Sequence, residues 1–242
     1  METFVNTGIV IVAGGSGRRM GAAIPKQFLL LDGMPVLART INRLAEAFPG
    51  SPVVVVLPAD QLDFWRDYAA RFEVKRHTVA AGGAERFHSV KAGLEALLRL
   101  GEGVEFVAVH DGVRPLASVE MLRRTAACAQ VHGAAVPVTE PVDSYRRVTD
   151  EGSEPVDRRA LRIVQTPQVF RVDWLRQAYE QPYSAAFTDD ASVVERAGYP
   201  IALCEGERSN LKITAREDLA LAAAWLRTEE EKREDKLKEN ER

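Results

Sequence analysis

The sequence has few cysteines, no long hydrophobic run, and no marked excess of charge of either sign. Each of these absences removes a class of function. The apolar run nearest the N-terminus, residues 9–13, follows Glu2 and is far shorter than the roughly 20 residues that a membrane helix needs. Neither a span nor a signal peptide is expected, and the chain reads as cytoplasmic. Cys128 and Cys204 are the only cysteines, each without a second Cys or a close His beside it. That argues against a disulfide framework or a zinc site, and both are read as reduced thiols. With 32 basic and 35 acidic side chains in 242 residues, the formal net charge is -3, so no global field draws the protein to duplex nucleic acid or an anionic membrane. An anionic ligand must instead meet a local cluster of cations. Internal repeats and low-complexity linkers are also missing. A chain this long buries about 70–75% of its unfolded surface, enough for one core. One domain is expected over residues 1–226, followed by a charged tail over 227–242.

What is present is alternation. Short β-branched runs at 8–13, 52–57, 75–79, 105–110, 134–138 and 200–204 are interleaved with segments of helical period at 36–47, 61–72, 85–100, 119–132, 172–180, 191–197 and from 215 onward. This is the pattern of βαβ units, and it predicts an α/β protein with a mostly parallel sheet covered by helices on both faces. Thr214 with Glu217 three residues later reads as a capping box for the last helix. Residues 139–158 carry prolines, a glycine and many charges but no apolar helix, which suits a projecting β-hairpin arm.

The first run leads into Ala13-Gly14-Gly15-Ser16-Gly17-Arg18-Arg19-Met20, followed closely by Pro25-Lys26-Gln27. A buried strand opening into glycines lets backbone N–H groups approach an oxyanion without obstruction by Cβ. The loop lacks the Gly-Lys-Ser/Thr of a P-loop, and it has Met20 where a dinucleotide fingerprint needs its third glycine. It supplies cations instead: Arg18, Arg19 and Lys26 can hold a triphosphate while one phosphorus is attacked. A second apolar run ends in His110-Asp111-Gly112-Val113-Arg114-Pro115. That ending places a carboxylate at the carboxyl end of a strand, where open α/β sheets bind ligands. Asp111 there can orient Mg²⁺ or a hydroxyl, and Arg114 can hold a second phosphate. His110 reads as a structural imidazole, because no motif brings a nucleophilic Ser or Cys to it. Gly82-Gly83-Ala84-Glu85-Arg86 with Ser89 joins a strand to a helix whose N-terminus could read a base edge or a ribose.

Together with Thr166-Pro167-Gln168, Thr188-Asp189-Asp190-Ala191-Ser192 and Asn210-Leu211-Lys212-Ile213-Thr214, these segments resemble the 2-C-methyl-D-erythritol 4-phosphate cytidylyltransferases. The resemblance runs from about residue 9 to residue 226. It implies a Rossmann-like nucleotidyltransferase domain whose arm interlocks with its counterpart in a homodimer. By the same resemblance, Arg19, Lys26 and Lys212 stabilise the reacting phosphates of CTP, with Mg²⁺ or another divalent cation bridging the triphosphate and Asp111 as a candidate ligand. Ala13, Gly14, Gly15, Gly17, Gly82 and Ser89 bind the nucleotide. Asp111, Arg114, Ser144, Arg158 and Thr166 bind the polyol phosphate, with Ser144 and Arg158 reaching across the dimer. The chain departs from the family's usual pattern at Gly112, where alanine is frequent, at Ser144, where threonine is usual, and at Ala84, where aspartate is frequent. A ribitol-5-phosphate cytidylyltransferase or a non-catalytic nucleotide-binding protein are the rival readings.

Overall fold

The computed structural model describes residues 6–14, 24–101 and 103–240, with side chains described as far as residue 229 and at 231. The chain opens with β1 (Thr7–Val12), a short hairpin of β2 (Leu30–Leu31) and β3 (Met34–Pro35), and α1 (Val36–Ala47). It continues through β4 (Val53–Leu57), α2 (Leu62–Ala69), β5 (Thr78–Ala81), α3 (Arg86–Arg99), β6 (Phe106–Asp111), α4 (Val119–His132) and β7 (Ala134–Thr139). A second hairpin, β8 (Tyr145–Thr149) and β9 (Gly152–Val156), precedes β10 (Ile163–Val164), β11 (Gln168–Arg171), α5 (Val172–Tyr179), α6 (Asp190–Arg196), β12 (Ala202–Glu205) and α7 (Arg216–Asn240).

The main sheet runs in the order β10-β7-β11-β6-β1-β4-β5, with β12 also paired to β7. β6, β1, β4 and β5 are mutually parallel. Side-chain alternation along β1 and β4 divides the core into two. Ile9, Ile11, Val53 and Val55 face α1, α2 and α4 through Leu37, Ile41, Leu44, Trp65 and Met121. Val10, Val12, Val54 and Val56 face the other layer, with Val90, Leu94, Leu97, Leu175 and Val194. Strands apolar on both faces are what a sheet covered on both sides requires, and the α/β architecture expected from the alternation is the one observed.

Three local outcomes differ from the sequence expectation. The strand expected at 75–79 starts later, at Thr78, because side chains hold the preceding segment: Asn42 bonds Glu73 O and Lys75 N, and the Trp65 indole donates to His77 Nε2. β11 was not expected as a strand. It holds only two buried apolar residues, Val169 and Phe170, too few for a periodic signal, yet it is antiparallel to both β6 and β7. The proposed capping box at Thr214 is replaced by another device, since Asp218, not Glu217, accepts from Thr214 N, Thr214 Oγ1 and Ala215 N. The helix expected from 215 onward continues through the tail to Asn240, and among the described residues its buried apolar side chains reach as far as Leu226. The expected arm at 139–158 contains the β8–β9 hairpin, whose strands among the described residues pair with each other alone and are exposed almost throughout.

Where α3 crosses the sheet, Gly93 allows a close approach. A Cβ there would sit 2.6 Å from both Val10 Cγ1 and Val56 Cγ2. Gly93→Val is therefore expected to destabilise the fold by about 1–3 kcal/mol through overpacking. Urea denaturation checks this, and an unchanged midpoint would show that the helix–sheet contact is looser than described.

Candidate functional site

The carboxyl ends of the four parallel strands open on one side of the sheet. The residues at or just after those ends, Ala13 and Gly14 after β1, Pro58 after β4, Gly82 after β5 and Asp111 ending β6, line a single cavity of about 350 Å³. Lys26, Gln27, Gly83, Ala84, Glu85, Arg86, Ser89, Val113, Lys212 and Thr214 complete much of its wall. Parallel strands put their C-terminal loops together, so residues about 200 positions apart meet here as a consequence of topology.

Asp111 is the centre of charge in this cavity. Its Oδ2 lies 3.0 Å from Lys212 Nζ and 3.2 Å from Arg114 Nε, and its Oδ1 is 3.8 Å from Arg86 Nε. Burial would raise the carboxyl pKa, but Lys212, Arg86 and Arg114 outweigh it and hold the group well below the usual carboxylate range. Lys26 Nζ donates to Ile213 O at 3.1 Å, so the two lysines approach the cavity along the same loop. That loop is tied down by Ile213 N donating to Val113 O at 2.9 Å. Arg114 is fixed from behind by donating to Asn210 O at 2.8 Å, and the buried Asn210 amide donates in turn to Thr166 O at 2.8 Å.

A second set of contacts supports the end of β6. Asp111 N donates to Thr166 Oγ1 (3.0 Å), leaving the Thr166 hydroxyl to donate to His110 Nδ1 (3.2 Å), while His110 Nε2–H donates to Arg114 O (3.1 Å). The carbonyl partner assigns the proton to Nε2. Burial pushes the His110 pKa down to about 4, and a neutral ring is what this chain of donors needs. Thr166 reaches Asp111 because β11 runs antiparallel to β6 with Gln168 opposite Val109, a register that two residues further on sets Thr166 opposite Asp111.

On the opposite wall, Ser89 shapes the turn after β5. Its hydroxyl accepts from Gly83 N at 3.2 Å and donates to Glu85 O at 3.2 Å. A Cβ on Gly82 would come within 2.7 Å of Ser89 Oγ, so glycine is required for that close approach. Gln27, fully buried, donates to Ala13 O and to Gln61 Oε1, both at 2.9 Å. It thereby ties the exit of β1 to the segment after β4.

Of the residues expected at the site, Lys26, Lys212, Ala13, Gly14, Gly82, Ser89 and Asp111 line this cavity, and Arg114 and Thr166 bond directly to Asp111. Ser144 and Arg158 flank the exposed hairpin and do not line it; Arg158 donates to Val142 O. Gly15, Gly17 and Arg19 lie outside the described residues. Sequence reasoning assigned no role to Gln27, Arg86, Tyr179 or Asp190. Arg86 and Asp190 stood inside quoted motifs, but nothing in the sequence pairs positions so far apart. Among the described residues no group of three or more His, Cys, Asp or Glu side chains is placed to hold a metal. Asp111, the expected metal ligand, already faces three cations, so its carboxylate is not a ready ligand for Mg²⁺ in this arrangement.

A family model described as "IspD: 2-C-methyl-D-erythritol 4-phosphate cytidylyltransferase" matches residues 7–228. A protein of that description from Bacteroides fragilis is 48% identical over 219 residues, covering 90% of this chain and 98% of the relative. One from Bacteroides thetaiotaomicron is 47% identical over 220 residues, covering 90% and 98%. Among solved structures, the 2-C-methyl-D-erythritol 4-phosphate cytidylyltransferase of Thermus thermophilus superposes with a TM-score of 0.72 at 34% identity, over 91% of this chain and 98% of that one. The 4-diphosphocytidyl-2C-methyl-D-erythritol synthase of Anaerococcus prevotii superposes with a TM-score of 0.77 at 26% identity, over 92% and 99%.

The depressed His110 pKa makes stability depend on pH. The unfolded imidazole takes up a proton near pH 6.5 and the folded one only near 4, so its contribution is complete above 6.5 and is lost as the pH falls toward 4. The loss is expected to be about 3 kcal/mol. Denaturant titrations across pH 4–7 should show a clearly steeper slope in the wild type than in His110→Gln, where only the carboxylates still contribute. An equal slope in both would remove the neutral-imidazole assignment.

Proposed function

Because the chain belongs to the 2-C-methyl-D-erythritol 4-phosphate cytidylyltransferase family, we propose that it joins CTP and 2-C-methyl-D-erythritol 4-phosphate into CDP-methylerythritol and pyrophosphate, a step of non-mevalonate isoprenoid biosynthesis. The observation that carries this reading is the convergence of Lys26 and Lys212 on one cavity that also holds Asp111, with Arg114 bonded behind it.

An oxygen of the acceptor phosphate attacks the α-phosphorus of CTP. The bond from that phosphorus to the bridging oxygen breaks, and pyrophosphate leaves. The acceptor is already an anionic nucleophile, so no general base and no covalent enzyme intermediate are required. The obstacle is repulsion between two polyanions, and fixed cations reduce it without reorganising during the reaction. Lys26, held at Ile213 O, and Lys212, held at Asp111, take that role together with Arg19. Ala13, Gly14, Gly15, Gly17, Gly82 and Ser89 receive the nucleotide. Asp111, Arg114 and Thr166 receive the polyol phosphate.

A homodimer completes this reading. The hairpin region exposes Val142, Tyr145 and Val148, the last 82% exposed. Apolar side chains on an exposed hairpin favour burial against a second copy, which would carry Ser144 and Arg158 to the neighbouring cavity. Mg²⁺ is assigned to the nucleotide, whose phosphate oxygens suit it better than carboxylates already paired with cations. No described helix is long and apolar enough to cross a membrane, and we assign the protein to the cytoplasm.

Pyrophosphate release from CTP is expected with methylerythritol phosphate and not with ribitol 5-phosphate. Turnover of ribitol 5-phosphate alone would move the chain to that chemistry, and CTP binding without release from either would mark a non-catalytic protein. Lys26→Ala should lower kcat on the order of 10²–10³-fold with little change in CTP affinity, as for loss of a transition-state donor. Sedimentation at micromolar concentration should give a dimer, and a monomer that remains fully active would exclude the shared site.

A further inference from the structure

Asp111 has three cationic neighbours, and they are not equivalent. Lys212 and Arg114 are the ones assigned to substrate phosphates. Arg86, the first residue of α3, is committed elsewhere. Its Nη1 and Nη2 donate to the two oxygens of Asp190, each at 2.6 Å, a fork that suits guanidinium and not ammonium. Asp190 is 0% exposed, and its Oδ1 also accepts from Tyr179 OH at 2.6 Å. The first turn of α6 that carries it is anchored to β11, because Ala191 N donates to Gln168 Oε1 at 2.8 Å and Gln168 Nε2 donates to Asp189 Oδ2 at 2.8 Å. The guanidinium is thus locked on its buried side, while it remains 33% exposed, lines the cavity, and turns Nε toward Asp111 Oδ1 at 3.8 Å.

We propose that Arg86, locked by Asp190 and Tyr179, is a positioning residue that keeps Asp111 in place when Arg114 is drawn toward the acceptor phosphate and Lys212 toward the reacting centre that this phosphate joins. An incoming phosphate competes with Asp111 for those two cations. With no third partner, Asp111 would hold them back or follow them, and the acceptor would bind less tightly and out of line. Arg86 supplies the third partner. Asp190 already balances its charge and the fork fixes its direction, so it does not leave for the substrate. This inference rests on the reaction proposed above and concerns the acceptor side of the cavity, leaving CTP recognition untouched.

Removing Arg86 alone strands a buried carboxylate, so the pair is neutralised together. In Arg86→Met/Asp190→Asn both charges are gone, a change that buried pairs often tolerate in stability. Purified wild type and variant are compared by thermal unfolding and by pyrophosphate release, varying CTP and methylerythritol phosphate separately. The expected result is a folded variant with the acceptor KM raised about tenfold, kcat lowered and the KM for CTP within about twofold of wild type. A folded variant with wild-type constants for both substrates overturns the proposal and leaves the pair a purely structural one. Equal losses on both substrates overturn it as well. Arg86→Lys, which keeps the charge that balances Asp190 but loses the fork, covers the case in which the double variant does not fold. It should show the same split between substrates in weaker form, and wild-type kinetics in it would also overturn the proposal. A wild type that releases no pyrophosphate refutes the proposed reaction itself, a result distinct from an active wild type whose variants are unaffected.

Discussion

The arrangement of this protein turns on one buried carboxylate. Asp111 sits at the end of a central strand with three cations around it, one each from α3, from the turn after β6 and from the loop before α7. A buried charge without partners is among the most expensive groups a fold can contain. These elements must therefore arrive together for the native state to be acceptable at all. The same constraint gathers positive charge on one face of the cavity. Asp111 is the scaffold on which those cations are held.

Behind that centre the structure is built to resist movement. The His110–Thr166 relay fixes both the backbone of Asp111 and the carbonyl of Arg114. Asn210 links Arg114 to the Thr166 backbone, and Gln27 joins the exits of two strands. Each of these side chains is polar and buried, and His110, Asn210 and Gln27 each direct a donor at a backbone carbonyl. Directed polar bonds of this kind specify one geometry where apolar packing alone would tolerate several. Cations whose directions are fixed before substrate arrives stabilise developing charge without reorganisation, the property that a transfer between two polyanions needs most.

Much of this was legible in the sequence. The limits of α1 and α4 agree with the periodicity of residues 36–47 and 119–132, α1 through its one-sided apolar face and α4 with Ser118 capping its start and Gly133 closing its end, all of which are decided locally. The strand ends carrying Gly14, Gly82 and Asp111 were readable as a glycine or a carboxylate closing an apolar run. β11 was not readable: two buried residues between polar ones carry no period, and its place between β6 and β7 is decided by the hairpin excursion that brings the chain back antiparallel. Arg86 and Asp190 were visible as residues but not as a pair. His110 was read as structural, and its bonding accounts for that reading.

Sequence by itself determined the alternation of strand and helix, the two apolar faces of each inner strand and the chemical kinds of group delivered to the strand ends, since all of these follow from local period and side-chain type. Only the tertiary structure decided which groups meet. Lys26, Arg86, Asp111 and Lys212 become neighbours because parallel strands align their carboxyl ends, and the antiparallel register of β11 on β6 sets Thr166 at the same point. Distances between such residues depend on strand order and register, which are set by the collective packing of both faces and written in no single segment.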